Sequence, residues 1–319
     1  MNGEPAAALY PSPDNPPPPG ASVSFLRAAD GTRLRAASWQ ASGRARGTVV
    51  LLQGRAENIE KYFETVGELR ARSLAVATLD WRGQGGSARL LADPLKSHVR
   101  DFAEYLDDLD SLMKRVVEPS CPSPYYVLAH SMGGLIALHA LHEWPTRFAH
   151  LATTAPLLGI LTPHPVLARL LGRFGPASSF VPGGERFDPL AETFETNPVT
   201  RDAHRFARNL GILRAKPSLA LGSPTLGWLG ATYRAMARVF GHRFARSLAA
   251  PILIVTAEDE LLVDNKAQAR LATMLPRCRQ VVIPGARHEI LMERDEIRAA
   301  FWRHWDAFFE MGASASLQD

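Results

Sequence analysis

Six short runs of this chain are apolar at nearly every position: TVVLLQG, LAVATLD, YYVLAHS, LATTAPL, PILIVTA and QVVIPGA. A strand with no polar alternation must be covered on both faces, which is the condition of a parallel sheet between helices. Amphipathic stretches such as KYFETVGELRAR and FAEYLDDLDSLMKRVVE lie between several of the runs. The alternation predicts an α/β fold, with a mostly parallel central sheet and helices on both faces. Ahead of it, SVSFLRAADGTRLRAASWQ reads as two strands turned at Asp30-Gly31, a dipeptide that favours tight hairpins.

The alternation stops at about Leu157 and resumes at Pro251. Residues 21–157 and 251–319 are therefore expected to form the core, residues 158–250 an inserted helical cap, and residues 1–20 a proline-rich N-terminal arm. Within the insertion, HPVLARLLGRF offers Val166, Leu167, Leu170, Leu171 and Phe174 to one helix face. SPTLGWLGATYRAMARVF offers Leu226, Leu229, Tyr233, Met236 and Phe240, with Ser223 expected as N-cap and Pro224 in the first turn.

Composition sets the remaining bounds. A hydrophobic content of 46% over 319 residues supports one large core plus an insertion. Cys121 and Cys278 are far apart and suggest no disulfide framework, so a reducing compartment is expected. The N-terminus lacks a basic segment followed by an apolar one, and no run of about 18 apolar residues occurs, so neither a secretory signal nor a membrane span is expected. The expected location is cytoplasmic, with peripheral contact at the inner face of the membrane an open alternative.

The formal net charge of +4 is concentrated. Residues 160–250 hold twelve Lys/Arg against five Asp/Glu. Arg201, Arg205, Arg208, Arg214, Arg234, Arg238, Arg243 and Arg246 are candidates for an anionic lipid surface or a phosphate headgroup, or else form a solvated basic face. They are interleaved with apolar helix faces and accompany no nucleic-acid reading motif, so no nucleic-acid partner is expected. Histidine and cysteine are too dispersed for a metal cluster, and no cofactor motif stands out beyond a lone G-x-G in DWRGQGGS.

The chemistry centres on AHSMGG. A serine between a buried strand and a helix sits on a tight turn, which requires small residues two positions before and after it. Ala129 and Gly133 meet that requirement, with alanine where glycine is usual. Such a turn exposes the Ser131 hydroxyl and puts the Met132 N–H at the positive helix end. A serine needs a base, and His288 follows the last apolar strand through a Pro-Gly break. His130 adjoins Ser131 but is expected to point away, because neighbours on a strand face opposite sides. Glu258, Asp259, Glu260 and Asp264, after PILIVTA, are the candidate acids. The order Ser, acid, His matches the α/β-hydrolase arrangement. Gly54-Arg55, after the first core strand, is placed to supply a second oxyanion N–H, that of Arg55.

The pieces GRAENIEKYFE, LDWRGQGGS, LAHSMGG, AEDELLVDN and GARHEILME, in order from residue 54 to 293, resemble the lysophospholipase and monoacylglycerol lipase family of serine hydrolases, in particular its bacterial lysophospholipase branch. The resemblance implies an α/β-hydrolase fold, Ser131 as nucleophile, His288 as base, and the N–H groups of Arg55 and Met132 as oxyanion hole. In the family's small-x-x-Asp-x-x-Val pattern, Ala257 and Val263 take the outer positions. Glu260 then stands where aspartate is usual, and Asp259 is the alternative acid. The loop holding Asp80, Arg82 and Ser87 is expected to brace the site. The implied activity is release of fatty acid from single-chain acyl lipids, lysophospholipids above all. Monoacylglycerols, small esters or peptides are alternative substrates, and a catalytically silent binding protein is the alternative from outside enzymes.

Overall fold

The computed structural model describes residues 6–315. Its centre is a sheet of eight strands: β1 (Ala21–Arg27), β2 (Arg33–Trp39), β3 (Thr48–Leu52), β4 (Ala75–Leu79), β5 (Tyr125–His130), β6 (His150–Thr154), β7 (Ile252–Ala257) and β8 (Cys278–Ile283). Their order is β1-β2-β4-β3-β5-β6-β7-β8. β2 is antiparallel to both neighbours, and all other pairs are parallel. Every residue of β3, β4 and β7 is buried, whereas the edge strands β1 and β8 keep exposed positions. Five of the six apolar runs are thus strands covered on both faces, whereas QVVIPGA forms the edge strand β8, where Val282 is exposed because no further strand or helix covers that position.

The helices are α1 (Phe63–Ala71), α2 (Ala103–Leu112), α3 (Glu118–Ser120), α4 (Met132–Glu143), α5 (Pro165–Phe174), α6 (Ala203–Ala215), α7 (Leu226–Val239), α8 (His242–Ser247), α9 (Asn265–Met274) and α10 (Asp295–Ala315). Successive strand residues feed opposite sides of the sheet. Val50 and Leu52 join one apolar cluster with Leu109, Leu135 and Leu271, while Val49 and Leu51 join another with Val66, Phe301 and Trp305. The first hairpin forms at Asp30-Gly31 as predicted, although its connection runs from Ala28 to Thr32 rather than through two residues. Residues 6–20 lie against the core, where Tyr10 N–H donates to the Glu60 carboxylate and Trp39 Nε1 donates to the Pro18 carbonyl.

The segment between β6 and β7 carries α5 to α8. The N-cap of α7 is Thr225, whose hydroxyl accepts the Trp228 N–H at 3.2 Å. Ser223 instead accepts the Glu185 N–H, so the cap lies two residues later than the Ser-Pro pair indicated. α5 has no fully buried residue. It crosses α7 through two glycines so close that a Cβ on Gly230 would lie 2.0 Å from the Gly172 carbonyl oxygen. Its apolar face is divided: Leu167 and Leu171 line a cavity, whereas Val166 and Phe174 project outward at 67% and 74% exposure.

The basic character of this segment has a structural explanation. Arg201 pairs with Asp259, Arg205 with Glu64 and Asp295, and Arg208 with Glu64. These three arginines bind core carboxylates, which corrects the expectation that they meet a lipid surface or solvent.

After β3 the chain pairs β4 on one side and then crosses to place β5 on the other. A crevice opens at such a switch point, beyond the carboxyl ends of the strands. The fit there is tight: a Cβ on Gly133 would lie 2.4 Å from the Leu52 carbonyl oxygen and 2.6 Å from that of Gln53. Gly133→Ala is therefore expected to lower unfolding free energy by about 1–3 kcal/mol in urea denaturation. Gly67→Ala, where a Cβ on α1 meets nothing within 4 Å, should be neutral or stabilising. Equal effects of the two would contradict the steric account.

Candidate active site

Ser131 joins β5 to α4 with φ +49° and ψ −113°, a conformation that side chains disfavour. Its backbone is fixed from both ends. Ser131 N–H donates to the Thr154 carbonyl at 3.0 Å, and its own carbonyl accepts from Gly134 and Leu157 at 3.0 Å each. The side chain caps nothing in α4. The hydroxyl lies 3.0 Å from His288 Nε2 instead.

His288 Nδ1 lies 2.7 Å from Glu260 Oε2. The other oxygen, Glu260 Oε1, accepts the N–H groups of Leu261, Leu262 and Val263 at 2.9, 2.8 and 3.3 Å. Burial raises the carboxyl pKa, but the His288 hydrogen bond and charge together with these N–H groups outweigh it and hold Glu260 below its ordinary value. The other candidate acids are engaged elsewhere. Asp259 pairs with Arg201 at 2.7 Å, Glu258 accepts the Gly285 N–H, and Asp264 caps α9 by accepting the Lys266 N–H. Four carboxylates that sequence alone separates poorly thus have four distinct partners.

The Met132 and Arg55 N–H groups find no acceptor among the described residues. The Arg55 side chain is engaged with the inserted segment. Its guanidinium donates to the Gly222 carbonyl at 2.8 Å and sits 5.8 Å from the Trp228 ring centroid, tying the loop after β3 to the inserted segment. The loop with Asp80, Arg82 and Ser87 is a brace. Asp80 accepts from Arg35, Ile59 N–H and Gly86 N–H, Arg82 pairs with Asp108, and Ser87 bonds the Arg35 N–H.

His130 departs from expectation. Its ring lies edge-on to His288, with centroids 4.8 Å apart, so it faces the site. Strand alternation lapses because the left-handed turn at Ser131 takes the following side chain out of the pleat. Below it is a buried network that sequence reasoning assigned no role. Glu57 accepts from Gly54 N–H and the Tyr62 hydroxyl and from Lys61 Nζ at 2.8 Å, and Lys61 also reaches Glu289 at 2.6 Å. Burial would raise the Glu57 carboxyl, yet Lys61 and its other partners bring it down to about 2. The available signal was the Glu57/Lys61 spacing of four residues, within GRAENIEKYFE.

An apolar cavity of about 690 Å³ stands over the Ser131 hydroxyl. Leu157, Ile160, Leu167, Leu171 and Trp228 are among its walls, with His288 at its base. A buried hydroxyl hydrogen-bonded to an imidazole that is oriented by a carboxylate is the arrangement from which a proton can leave the oxygen as it attacks a carbonyl.

Burial brings His130 down to about 4, with the Glu57 charge opposing and His288 and Lys61 reinforcing. Burial does the same to His139, again to about 4. An unfolded histidine takes up its proton near 6.5, so the unfolded chain binds more protons between pH 6.5 and 4.5 and stability must fall as pH is lowered through that window. Each group supplies a slope of at most about 1.4 kcal/mol per pH unit. Urea midpoints measured from pH 7 to 4.5 should decline, and less steeply in His130→Asn/His139→Asn; the same slope in both proteins would sink this assignment.

Comparison with known proteins places this geometry. Residues 43–295 match the family described as "Serine aminopeptidase, S33". Lysophospholipase L2 of Escherichia coli (strain K12) is 35% identical over 264 residues, spanning 79% of this chain and 76% of that protein. A monoacylglycerol lipase of Mycolicibacterium smegmatis is 26% identical over 83% of this chain and 89% of its own length. In three dimensions, a soluble variant of monoglyceride lipase from Saccharomyces cerevisiae, solved with a substrate analog, superposes with a TM-score of 0.73. That match is 19% identical, covers 95% of this chain and 100% of the other, and shows the shared α/β-hydrolase fold. With the family matched over most of its length and a relative above 30% identity across more than two thirds of it, the chain belongs to the S33 serine hydrolase family.

Proposed function

We propose that this protein is a serine carboxylic-ester hydrolase that releases fatty acid from single-chain acyl lipids, with lysophospholipids as the preferred class. The observation that carries the reading is the Ser131–His288–Glu260 relay at the base of an apolar cavity. The similarity to lysophospholipase L2 supports the lipid class.

In the proposed mechanism Ser131 Oγ attacks the ester carbonyl while His288 Nε2 takes its proton. Glu260 holds the ring so that Nδ1 carries the other proton and stabilises the imidazolium that forms. The carbonyl oxygen becomes an oxyanion directed at the unpartnered N–H groups of Arg55 and Met132. His288 then gives its proton to the departing glyceryl oxygen, leaving the acyl group on Ser131. A water activated by the same histidine releases the fatty acid.

Residues 158–250 act in this reading as a cap that supplies the outer walls of the cavity, Leu167, Leu171, Trp228 and Leu229 among them. Exposed apolar residues of α5, Val166, Leu170 and Phe174, belong to the helix whose Leu167 and Leu171 wall the cavity, and they suit peripheral contact with a membrane surface. Among the described residues no helix is long and apolar enough to cross a membrane.

Two experiments test this reading. Fatty-acid release from lysophosphatidylcholine and from a monoacylglycerol of the same chain is expected to favour the phospholipid and to vanish in Ser131→Ala. Preference for the glycerol ester would move the substrate to neutral lipids, and a fully active Ser131→Ala would end the hydrolase reading. For the acid, Glu260→Gln should lower kcat by roughly 10²–10⁴-fold. Asp259→Asn, which breaks only the pair with Arg201, should change kcat by less than about tenfold. The reverse ranking would transfer the role to Asp259.

A further inference from the structure

α5 is a ridge between two depressions. Leu167 and Leu171 face the Ser131 cavity, and Arg169 and Arg173 face a second space of about 830 Å³. The two spaces share Ile160, Leu161, Thr162 and Tyr233 as walls. Arg234 from α7 and Lys266 and Arg270 from α9 complete five cations around the second space, against one carboxylate, that of Asp264. Asp264 is already engaged in capping α9.

The partners of these cations set them apart from the arginines that dock the insertion. Arg201, Arg205 and Arg208 reach core carboxylates within 3 Å. Arg234 donates to the Arg100 carbonyl and stands 3.8 Å from Asp101. Arg169, Arg173, Lys266 and Arg270 form no ion pair among the described residues. Three of them lie over aromatic rings: Arg169 is 5.5 Å from the Tyr233 ring centroid, Arg173 is 5.3 Å from that of Phe174 and Arg270 is 4.8 Å from that of Phe240. This fixes the guanidinium planes without neutralising them. The Tyr233 hydroxyl, on the wall common to both spaces, is buried and has no hydrogen-bond partner. Five cations gathered around one carboxylate repel one another, and an anion seated among them lowers that cost.

We infer that this basic depression binds the phosphate of a lipid headgroup. The inference rests on reading the neighbouring cavity as a single-chain lipid site, since an apolar cavity that shares four wall residues with a cationic one matches an acyl chain ending in a phosphodiester. Arginine is suited to the task because its fork engages phosphate oxygens in pairs. The phosphate has two sources: the headgroup of the substrate in the Ser131 cavity, or that of a neighbouring lipid in the surface on which the enzyme works.

The test compares the parent with Arg169→Gln/Lys266→Gln/Arg270→Gln, in two arms. The first measures kcat/KM for lysophosphatidylglycerol and for the monoacylglycerol of the same chain, both below their critical micelle concentrations. The second measures sedimentation with phosphatidylcholine vesicles made with and without phosphatidylglycerol, and does not depend on turnover. Loss of three cations should lower the affected quantity by at least about tenfold. A fall in the phospholipid-to-glyceride ratio in the first arm assigns the site to the substrate headgroup. A fall confined to binding of phosphatidylglycerol vesicles assigns it to a surface lipid. If both quantities match the parent, the headgroup site is refuted, while hydrolysis of either ester by the parent leaves the enzymatic reading standing. If the parent cleaves neither ester, the enzymatic reading fails and the vesicle arm still decides the anion site.

Discussion

The contact on which the site depends is that between the first turn of α4 and the carboxyl end of β3. Gly133 has no room for a side chain against the Leu52 and Gln53 carbonyls, and only this approach lets the chain reverse at Ser131 with positive φ. The strain of that residue, of order 1–3 kcal/mol, is offset by the backbone hydrogen bonds that hold it to Thr154, Gly134 and Leu157. The same approach sets the Gln53 carbonyl, just past the end of β3, against the start of α4. The turn that aims the Ser131 hydroxyl at His288 thus depends on one close packing.

A second constraint is electrostatic. The inserted segment carries an excess of positive charge, and the core meets it with Glu64, Asp259 and Asp295. Such pairs specify how the segment sits more than they stabilise it, since partly exposed ion pairs contribute little. The cations on the other flank, around α5 and α9, share one carboxylate, that of Asp264.

Much of this was legible in the sequence because it is local. Apolar runs identify doubly covered strands, and the strand–serine–helix pattern with Ala129 and Gly133 identifies the turn before any coordinate is known. His288 was legible through its place after the last strand. Which carboxylate meets His288 was not legible from the residues alone, because Glu258, Asp259, Glu260 and Asp264 crowd into seven positions and differ only in what they meet across the fold; the family pattern pointed to Glu260, and Glu260 is the one that lies 2.7 Å from His288 Nδ1. The orientation of His130 was misread because the period-two rule was carried one residue past the end of its strand. The Glu57–Lys61–Glu289 network was missed since its closing contact spans 228 residues. Arg201, Arg205 and Arg208 were misjudged for a like reason: a cation's partner is a property of the fold, and composition records only the excess.

Glu260 binds two things at once. One oxygen orients His288, and the other gathers the N–H groups of Leu261, Leu262 and Val263. Leu262 and Val263 are walls of the Ser131 cavity, and this stretch is bridged to Ile160 and Leu161 on the other side. The ionisation of the acid and the shape of the cavity rim are therefore linked equilibria. By thermodynamic reciprocity, any ligand that bound the ordered rim more tightly than the loosened one would strengthen Glu260 as an acid by the same free energy, so that filling the cavity would favour the charged carboxylate beside His288.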